Sequence, residues 1–236
     1  MIRLDNYLIK NQLSQSRTKA QNTIKEGFVS VDGKVITKPS YKVEDKNIVE
    51  LKEHKVYVSR SAHKLSAFLD EVHLDLNSMV ALDIGASTGG FTQVLLERGV
   101  KEVSAVDVGR GQLHKTLKDD KRVLSYESCD IRDFKSNKSF DIVVSDVAFI
   151  SLHNILDDID RLACDKIILL FKPQFEVGRE VKRDKNGVVM DEKAIQKAML
   201  KFEDATKLKK WHLVMKSASK LSGKDGNLEY CYYFKK

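Results

Sequence analysis

The sequence predicts an α/β chain in which a doubly wound, mostly parallel sheet covered by helices follows a small basic α+β module. Two observations carry this. From residue 80 onward, short apolar runs alternate with helical stretches, and the first run ends in a glycine-rich corner, LDIGASTGGFT at 82 to 92. Residues 1 to 55 hold 11 Lys and Arg against 7 Asp and Glu, a net +4 of the chain's +7.

In the first module, Leu4, Leu8 and nearby Ile9 recur at helical spacing, and a second helix begins at Ser16 and runs through Ala20 and Ile24 to Gly27. FVSVDGKVI, residues 28 to 36, places Asp32-Gly33 between two β-rich runs, a strong hairpin signal. KEHKVYVSR at 52 to 60 reads as a charged connector, so the organisation expected is a module at 1–55, a linker at 56–60 and a larger domain at 61–236. That domain opens with a helix from Ser59 whose apolar stripe is Leu65, Phe68, Leu69 and Val72. Predicted strands then follow at VALDI (80–84), VSAV (103–106), FDIVVSD (140–146), KIILLF (166–171), WHLVM (211–215) and EYCYYF (229–234).

Composition excludes several classes. Apolar residues make up 42% and charged residues 32%, and no apolar run approaches the length of a membrane span. MIRLDNYLIKNQLS at 1 to 14 lacks the apolar core of a signal peptide, so a cytoplasmic protein with no membrane partner is expected. Cys129, Cys164 and Cys231 are isolated, with no spacing suited to zinc, and no metal is expected.

The glycine corner lacks the lysine of a phosphate-binding loop and departs from the dinucleotide spacing G-x-G-x-x-G, so phosphate is not its obvious guest. Asp83 gives the corner an acid that favours a cationic or amine-bearing ligand. One strand later Asp107 ends VSAVD, where an acid takes both hydroxyls of a ribose. Charged residues also stand where apolar strands begin or end: Asp146 after FDIVVS, Lys172 after IILLF and Glu229 before YCYYF. With Lys64 they form the ordered series Lys, Asp, Lys, Glu.

RLDNYL (3–8), SRTKAQNTIKEG (16–27) and VSVDGKV (29–35) resemble the small RNA-binding fold of ribosomal small-subunit protein four. The resemblance implies phosphate contacts from Arg3, Arg17, Lys19 and Lys25. Asp83, Gly85, Gly89, Phe91 and Thr92 resemble the first motif of class I methyltransferases that use S-adenosylmethionine. This implies a Rossmann-like sheet and a cofactor held by Asp83, Gly85, Ala86, Ser87, Gly89, Gly90 and Phe91 at the corner. Asp107 would take the ribose, and Asp130 with Ile131 the adenine.

The Lys, Asp, Lys, Glu order resembles FtsJ-related ribose 2'-O-methyltransferases. The match is closer to the TlyA family of rRNA ribose methyltransferases, some of whose members are called haemolysins. It rests on SRSAHKLSAF (59–68), AVDVGRGQL (105–113), VSDVAFISL (144–152), FKPQFEVGRE (171–180), NGVVMD (186–191) and GNLEY (226–230). Ser61, Arg110 and Lys220 depart from the family pattern and touch substrate contacts rather than chemistry.

What the resemblance implies is methylation of a ribose hydroxyl in ribosomal RNA, of a cytidine, in large-subunit rRNA, with small-subunit rRNA left open as a second substrate and ribosomal subunits as partner. A hydroxyl is a poor nucleophile until its proton is drawn away. Lys172 is the candidate base, with the Lys64 cation and burial favouring its neutral form and Asp146 opposing. Asp146 is then assigned to orienting the lysines and acceptor, and Glu229 to holding Lys64 or Lys172. Phe149 and Phe175 read either as a wall for the site, as base-stacking residues, or as core.

Arg60 and the polar stretch Gln174–Asp191, with Arg179, Lys182, Arg183 and Lys185, are expected to meet RNA. Two other readings compete: a non-catalytic RNA-binding or ribosome-assembly factor, and a membrane-active haemolysin. The first predicts that Lys172 is dispensable. The second finds no span or strongly amphipathic helix to support it.

Overall fold

The computed structural model describes residues 1–25, 27–51, 57–223 and 225–236. They fall into two compact units, within Met1–Val56 and Tyr57–Lys236. Residues 52–56 of the expected connector lie outside the described residues.

The first unit runs β1 (Ile2–Arg3), α1 (Leu4–Lys10), α2 (Arg17–Lys25), β2 (Val29–Val31), β3 (Lys34–Val35), β4 (Lys42–Val43) and β5 (Val49–Leu51). Ser16 Oγ accepts from the Lys19 amide at 3.2 Å, which satisfies one of the free donors at the start of α2. Val31 pairs with Lys34 across Asp32 and Gly33, both at positive φ, as the hairpin signal predicts. Leu4, Leu8, Ala20, Ile24, Val29, Val31, Ile36 and Val43 close its core. Ile9, expected on the apolar stripe, is exposed instead. Strands β1, β4 and β5 have no counterpart in the sequence reading, because segments of two or three residues carry no readable period.

The second unit runs α3 (Arg60–Val72), β6 (Val80–Ile84), α4 (Gly90–Glu97), β7 (Glu102–Val106), α5 (Lys115–Lys118), β8 (Val123–Tyr126), β9 (Phe140–Ser145), α6 (Leu156–Leu162), β10 (Ala163–Phe171), α7 (Pro173–Glu176), α8 (Glu192–Leu208), β11 (His212–Ala218) and β12 (Tyr230–Lys235). Its seven strands are ordered β11-β12-β10-β9-β6-β7-β8. Neighbours from β10 to β8 are parallel, and β12 inserts antiparallel between β10 and β11. The chain therefore starts in the middle of the sheet and winds outward in both directions. That leaves a crevice at the carboxyl ends of β6, β7 and β9.

The sheet is apolar on both faces, which the continuous runs in the sequence require. One face packs against α3 through Leu65, Phe68 and Leu69, all buried, and each such burial stabilises by about 1.5–3 kcal/mol. The other face meets α6 and α8 around Phe171, Phe202, Tyr232 and Phe234. Edge strand β8 escaped the sequence reading because only Val123 of VLSY is buried. Residues 57 to 60 of the expected linker pack on this unit: the Val58 amide donates to Gln93 Oε1 at 2.9 Å, and Ser59 is the N-cap residue of α3.

Gly89, at φ 94°, ends the corner and caps α4. A Cβ there would lie 2.3 Å from Leu117 Cδ1 and 2.8 Å from Leu113 Cδ1. Gly89→Ala is therefore expected to destabilise the unit by about 2–4 kcal/mol, through backbone strain and overpacking together, measurable by denaturant unfolding.

Candidate active site and nucleic-acid interface

Sheet register assembles the four charged residues. Ser145 lies beside Leu169 of β10, and Phe171 lies opposite Tyr230 of β12. The next residue on β9 is Asp146, the next on β10 is Lys172, and the one preceding β12 is Glu229. Side chains alternate along a strand, so these three share the sheet face that α3 covers, and α3 contributes Lys64. Lys64, Lys172 and Glu229 are 8%, 8% and 2% exposed. Lys64 Nζ sits 2.5 Å from Glu229 Oε2, and Lys172 Nζ sits 2.7 Å from Asp146 Oδ1.

Each ammonium thus has its own carboxylate. Glu229 lies against Lys64, and Asp146 against Lys172. Of the two partners left open for Glu229, the geometry selects Lys64. Gln174 Nε2 approaches the other Glu229 oxygen at 3.5 Å.

Beside these pairs opens a cavity of about 360 Å³, lined among others by Gly85, Ser87, Asp107, Gln112, Cys129, Asp130, Ile131, Asp146 and Phe149. It lies within the range of roughly 300–1,000 Å³ typical of cofactor sites. Its lining holds three carboxylates and no lysine or arginine, which suits a cationic ligand and repels a free phosphate. Asp107 is held by the amides of Ser87 (2.8 Å) and Gly109 (2.7 Å), leaving lone pairs on both oxygens for a diol. Asp130 is gripped by the Arg132 guanidinium at 2.6 and 2.9 Å and by its amide, which lowers its pKa to about 2.

Five of the ten residues expected at the cofactor line this cavity: Gly85, Ser87, Asp107, Asp130 and Ile131. The others do not, and packing explains why. Phe91 is buried in the core beneath α4, and Ala86 is buried beside it. Gly89 makes room for Leu117, and a Cβ on Gly90 would meet the Ser59 and Ser61 hydroxyls at 2.0 and 2.3 Å, so this glycine lets α3 and α4 touch. Asp83 is fully buried one residue below the cavity floor, where Thr92 donates to its Oδ2 at 2.6 Å and its Oδ1 has no hydrogen-bond partner among the described residues.

The sequence reading missed Gln112, which accepts from the Ser87 hydroxyl at 3.0 Å, and Glu176. Glu176 receives the Ser151 hydroxyl at 2.6 Å and the Leu152 amide at 2.8 Å, and burial raises its pKa. It ties the segment after β9 to α7. Phe149, in that segment, is 93% exposed at φ 65° with its ring 5.4 Å from Phe175, which removes the core reading for Phe149.

In the first unit, Asp5 is fully buried and collects Arg3 (2.8 and 2.9 Å), Gln21 (2.9 Å) and Arg17 (3.4 Å). The Arg3 guanidinium holds its carboxyl far below the ordinary carboxylate range. Arg3 and Arg17 keep 34% and 60% of their side chains exposed, and Lys19 and Lys25 are exposed. Arg60 donates to the Ser222 carbonyl at 3.4 Å. Arg183, half-buried, donates to the carbonyls of Gln174, Gly178, Arg179 and Val181. Arg179, Lys182 and Lys185 remain exposed on that loop.

This sheet order, with an acid after the second strand of the sheet and an acidic cavity at the crevice, is that of the methyltransferase fold. The FtsJ-like methyltransferase family matches residues 57–236, and the S4 domain matches residues 2–49. The chain belongs to the FtsJ-like methyltransferase family.

Among its relatives is the 23S rRNA (cytidine-2'-O)-methyltransferase TlyA of Campylobacter jejuni, 42% identical, with 97% of each chain covered. The 16S/23S rRNA (cytidine-2'-O)-methyltransferase TlyA of Mycobacterium tuberculosis is 37% identical, over 97% of this chain and 87% of that one. A candidate hemolysin of Streptococcus thermophilus, 34% identical, superposes with a TM-score of 0.74 over 99% of this chain and 88% of that one.

Burial pushes the Asp83 carboxyl up to about 7, against the Thr92 hydrogen bond and with help from the charges of Asp146 and Asp107. A carboxyl group with a raised folded-state pKa binds extra protons when folded, so its contribution is fully present below about pH 4 and lost as pH rises through about 7. The difference in unfolding free energy between wild type and Asp83→Asn should therefore shift against the wild type between pH 4 and 7 and level off above, as measured by urea titrations across that range.

Proposed function

We propose that this methyltransferase modifies the ribose 2'-hydroxyl of a cytidine in ribosomal RNA, in the large subunit and also the small one. The observation that carries the reading is the pair of buried lysine–carboxylate contacts beside an acidic cavity. Relatives named for the same reaction support it, as does the S4 domain. Such a substrate places the protein in the cytoplasm with ribosomal subunits. No described helix is long and apolar enough to cross a membrane.

The residues present fit S-adenosylmethionine. Asp107 would take its ribose diol, and Asp130 and Ile131 would face its adenine. The glycine corner at Gly85 and Ser87 would border the methionine portion, and the buried acid Asp83 behind it favours the amine. When bound, this cofactor supplies an electrophilic methyl group on a sulfonium.

The chain's own residues then prepare the acceptor. Lys172 takes the hydroxyl proton at Nζ, having first released its own third proton to solvent. The incoming ribose supplies the occasion by separating Lys172 from Asp146, whose carboxylate then orients the hydroxyl. Glu229 fixes Lys64, and Lys64 steadies the acceptor's electron-rich oxygen as its proton leaves. In-line placement of the oxygen supplies much of the rate, so the rigid strand ends that carry these groups are themselves part of the mechanism. Phe149, exposed and braced by Phe175, offers a face for the target base. Arg3, Arg17, Lys19, Lys25, Arg60, Arg179 and Lys182 hold the RNA backbone, the first two arrayed by Asp5.

Purified subunits incubated with methyl-labelled cofactor should gain label at a cytidine whose 3' linkage becomes resistant to alkali; absence of label would favour a non-catalytic assembly role. Lys172→Ala should slow transfer by about 10²–10⁴-fold while cofactor affinity is kept. Lys172→Arg separates base from mere cation, since arginine stays charged: full activity in that variant would remove the proton-accepting role. Reversing the charges of Arg179, Lys182 and Lys185 should raise KM for RNA and leave cofactor binding unchanged.

A further inference from the structure

Helix α8 carries Lys193, Lys197 and Lys201 at four-residue intervals, all exposed, in one row along the side away from its buried face of Ala198, Met199, Phe202 and Thr206. Like charges at this spacing repel and destabilise a helix by a few tenths of a kcal/mol per pair. Lys193 also lies in the first turn, where the helix dipole disfavours a cation. Among the described residues none of the three has an ion-pair partner, although two of the helix's three acids do: Glu203 pairs with Lys216, and Asp204 with Lys207. Three lysines are thus left without an ion pair in one row, the first of them where the helix dipole favours an acid.

The row leads to the site. Asp191, which ends the basic loop of Arg179, Lys182 and Lys185, caps α8 through the Ala194 amide. At the other end, the charge of Lys201 is felt by His153 and by Glu176, the residue that clasps the segment bearing Asp146 and Phe149. The lysines repeat every ~6 Å along the helix. That spacing is of the same order as that of phosphates along a nucleic-acid strand.

We propose that the Lys193–Lys197–Lys201 row of α8 is a phosphate track for rRNA, extending the contacts of the 177–191 loop to the edge of the segment that presents Phe149. This rests on the rRNA reading above and adds a surface that the charged loop and the S4 domain do not supply. The row lines neither the cavity nor the lysine–carboxylate pairs, so its effect is read in RNA binding.

The test is the triple variant Lys193→Gln, Lys197→Gln, Lys201→Gln in the full chain, with an unchanged thermal transition and unchanged S-adenosylmethionine affinity as controls. Binding to purified ribosomal subunits is measured by titration across 50–200 mM KCl, without regard to methylation, so that failure of the proposed chemistry is read separately. Loss of three phosphate contacts should lower the slope of log affinity against log salt by about 2–3 and weaken binding at least about tenfold at 0.1 M salt. The methylation assay should show a raised KM for RNA with kcat kept. An unchanged slope and affinity would overturn the proposal. So would a variant that keeps RNA binding but loses binding to vesicles of anionic phospholipid, which would assign the row to a membrane surface.

Discussion

Two ammonium groups lie almost fully buried at the end of an apolar sheet, and each is tolerated there because a carboxylate neutralises it. An unpaired charge in that place would cost several kcal/mol, and removing one partner of a buried pair typically costs about 3–5 kcal/mol. The pairs therefore constrain the fold as much as they equip the site. Lys64 fixes α3 against the entry to β12, and Lys172 ties the end of β10 to the end of β9. Glu176 adds a clasp between the segments that follow those two strands. Strand register does the rest, since a slip of one residue would turn Asp146 or Glu229 to the opposite face.

The glycine corner divides its labour between binding and packing. Gly85 and Ser87 border the cavity, while Gly89 and Gly90 let α5 and α3 approach α4. Neighbouring residues of one motif thus answer to different constraints, and Phe91 and Thr92 belong to the packing side. Thr92 hydrogen-bonds to the buried Asp83, whose other oxygen, beneath the cavity floor, has no hydrogen-bond partner among the described residues.

Charge is distributed to match. The chain carries +7 overall, yet the cavity lining is acidic and its basic residues stand outside it, on the S4 unit, on the 177–191 loop and along α8. Such a layout favours polyanions at the outer surface and cations in the cavity. In the S4 unit Asp5 organises two arginines without hiding them, so the acid serves the basic surface rather than opposing it.

The sequence by itself determined the alternation of strands and helices, the Asp-Gly hairpin, the Ser16 cap and the order Lys64, Asp146, Lys172, Glu229. Each of these depends on local pattern or on a charge abutting an apolar run. Edge strand β8 and strands β1, β4 and β5 of the first unit were illegible, because β8 buries only one residue and segments of two or three residues leave no period. Only the tertiary structure decided which lysine meets which carboxylate, that Arg183 bonds its own loop, that Phe149 is exposed, and which corner residues line the cavity. All four depend on contacts between segments tens of residues apart in the chain or on how a loop folds back on itself. No periodicity or motif spacing records such distances.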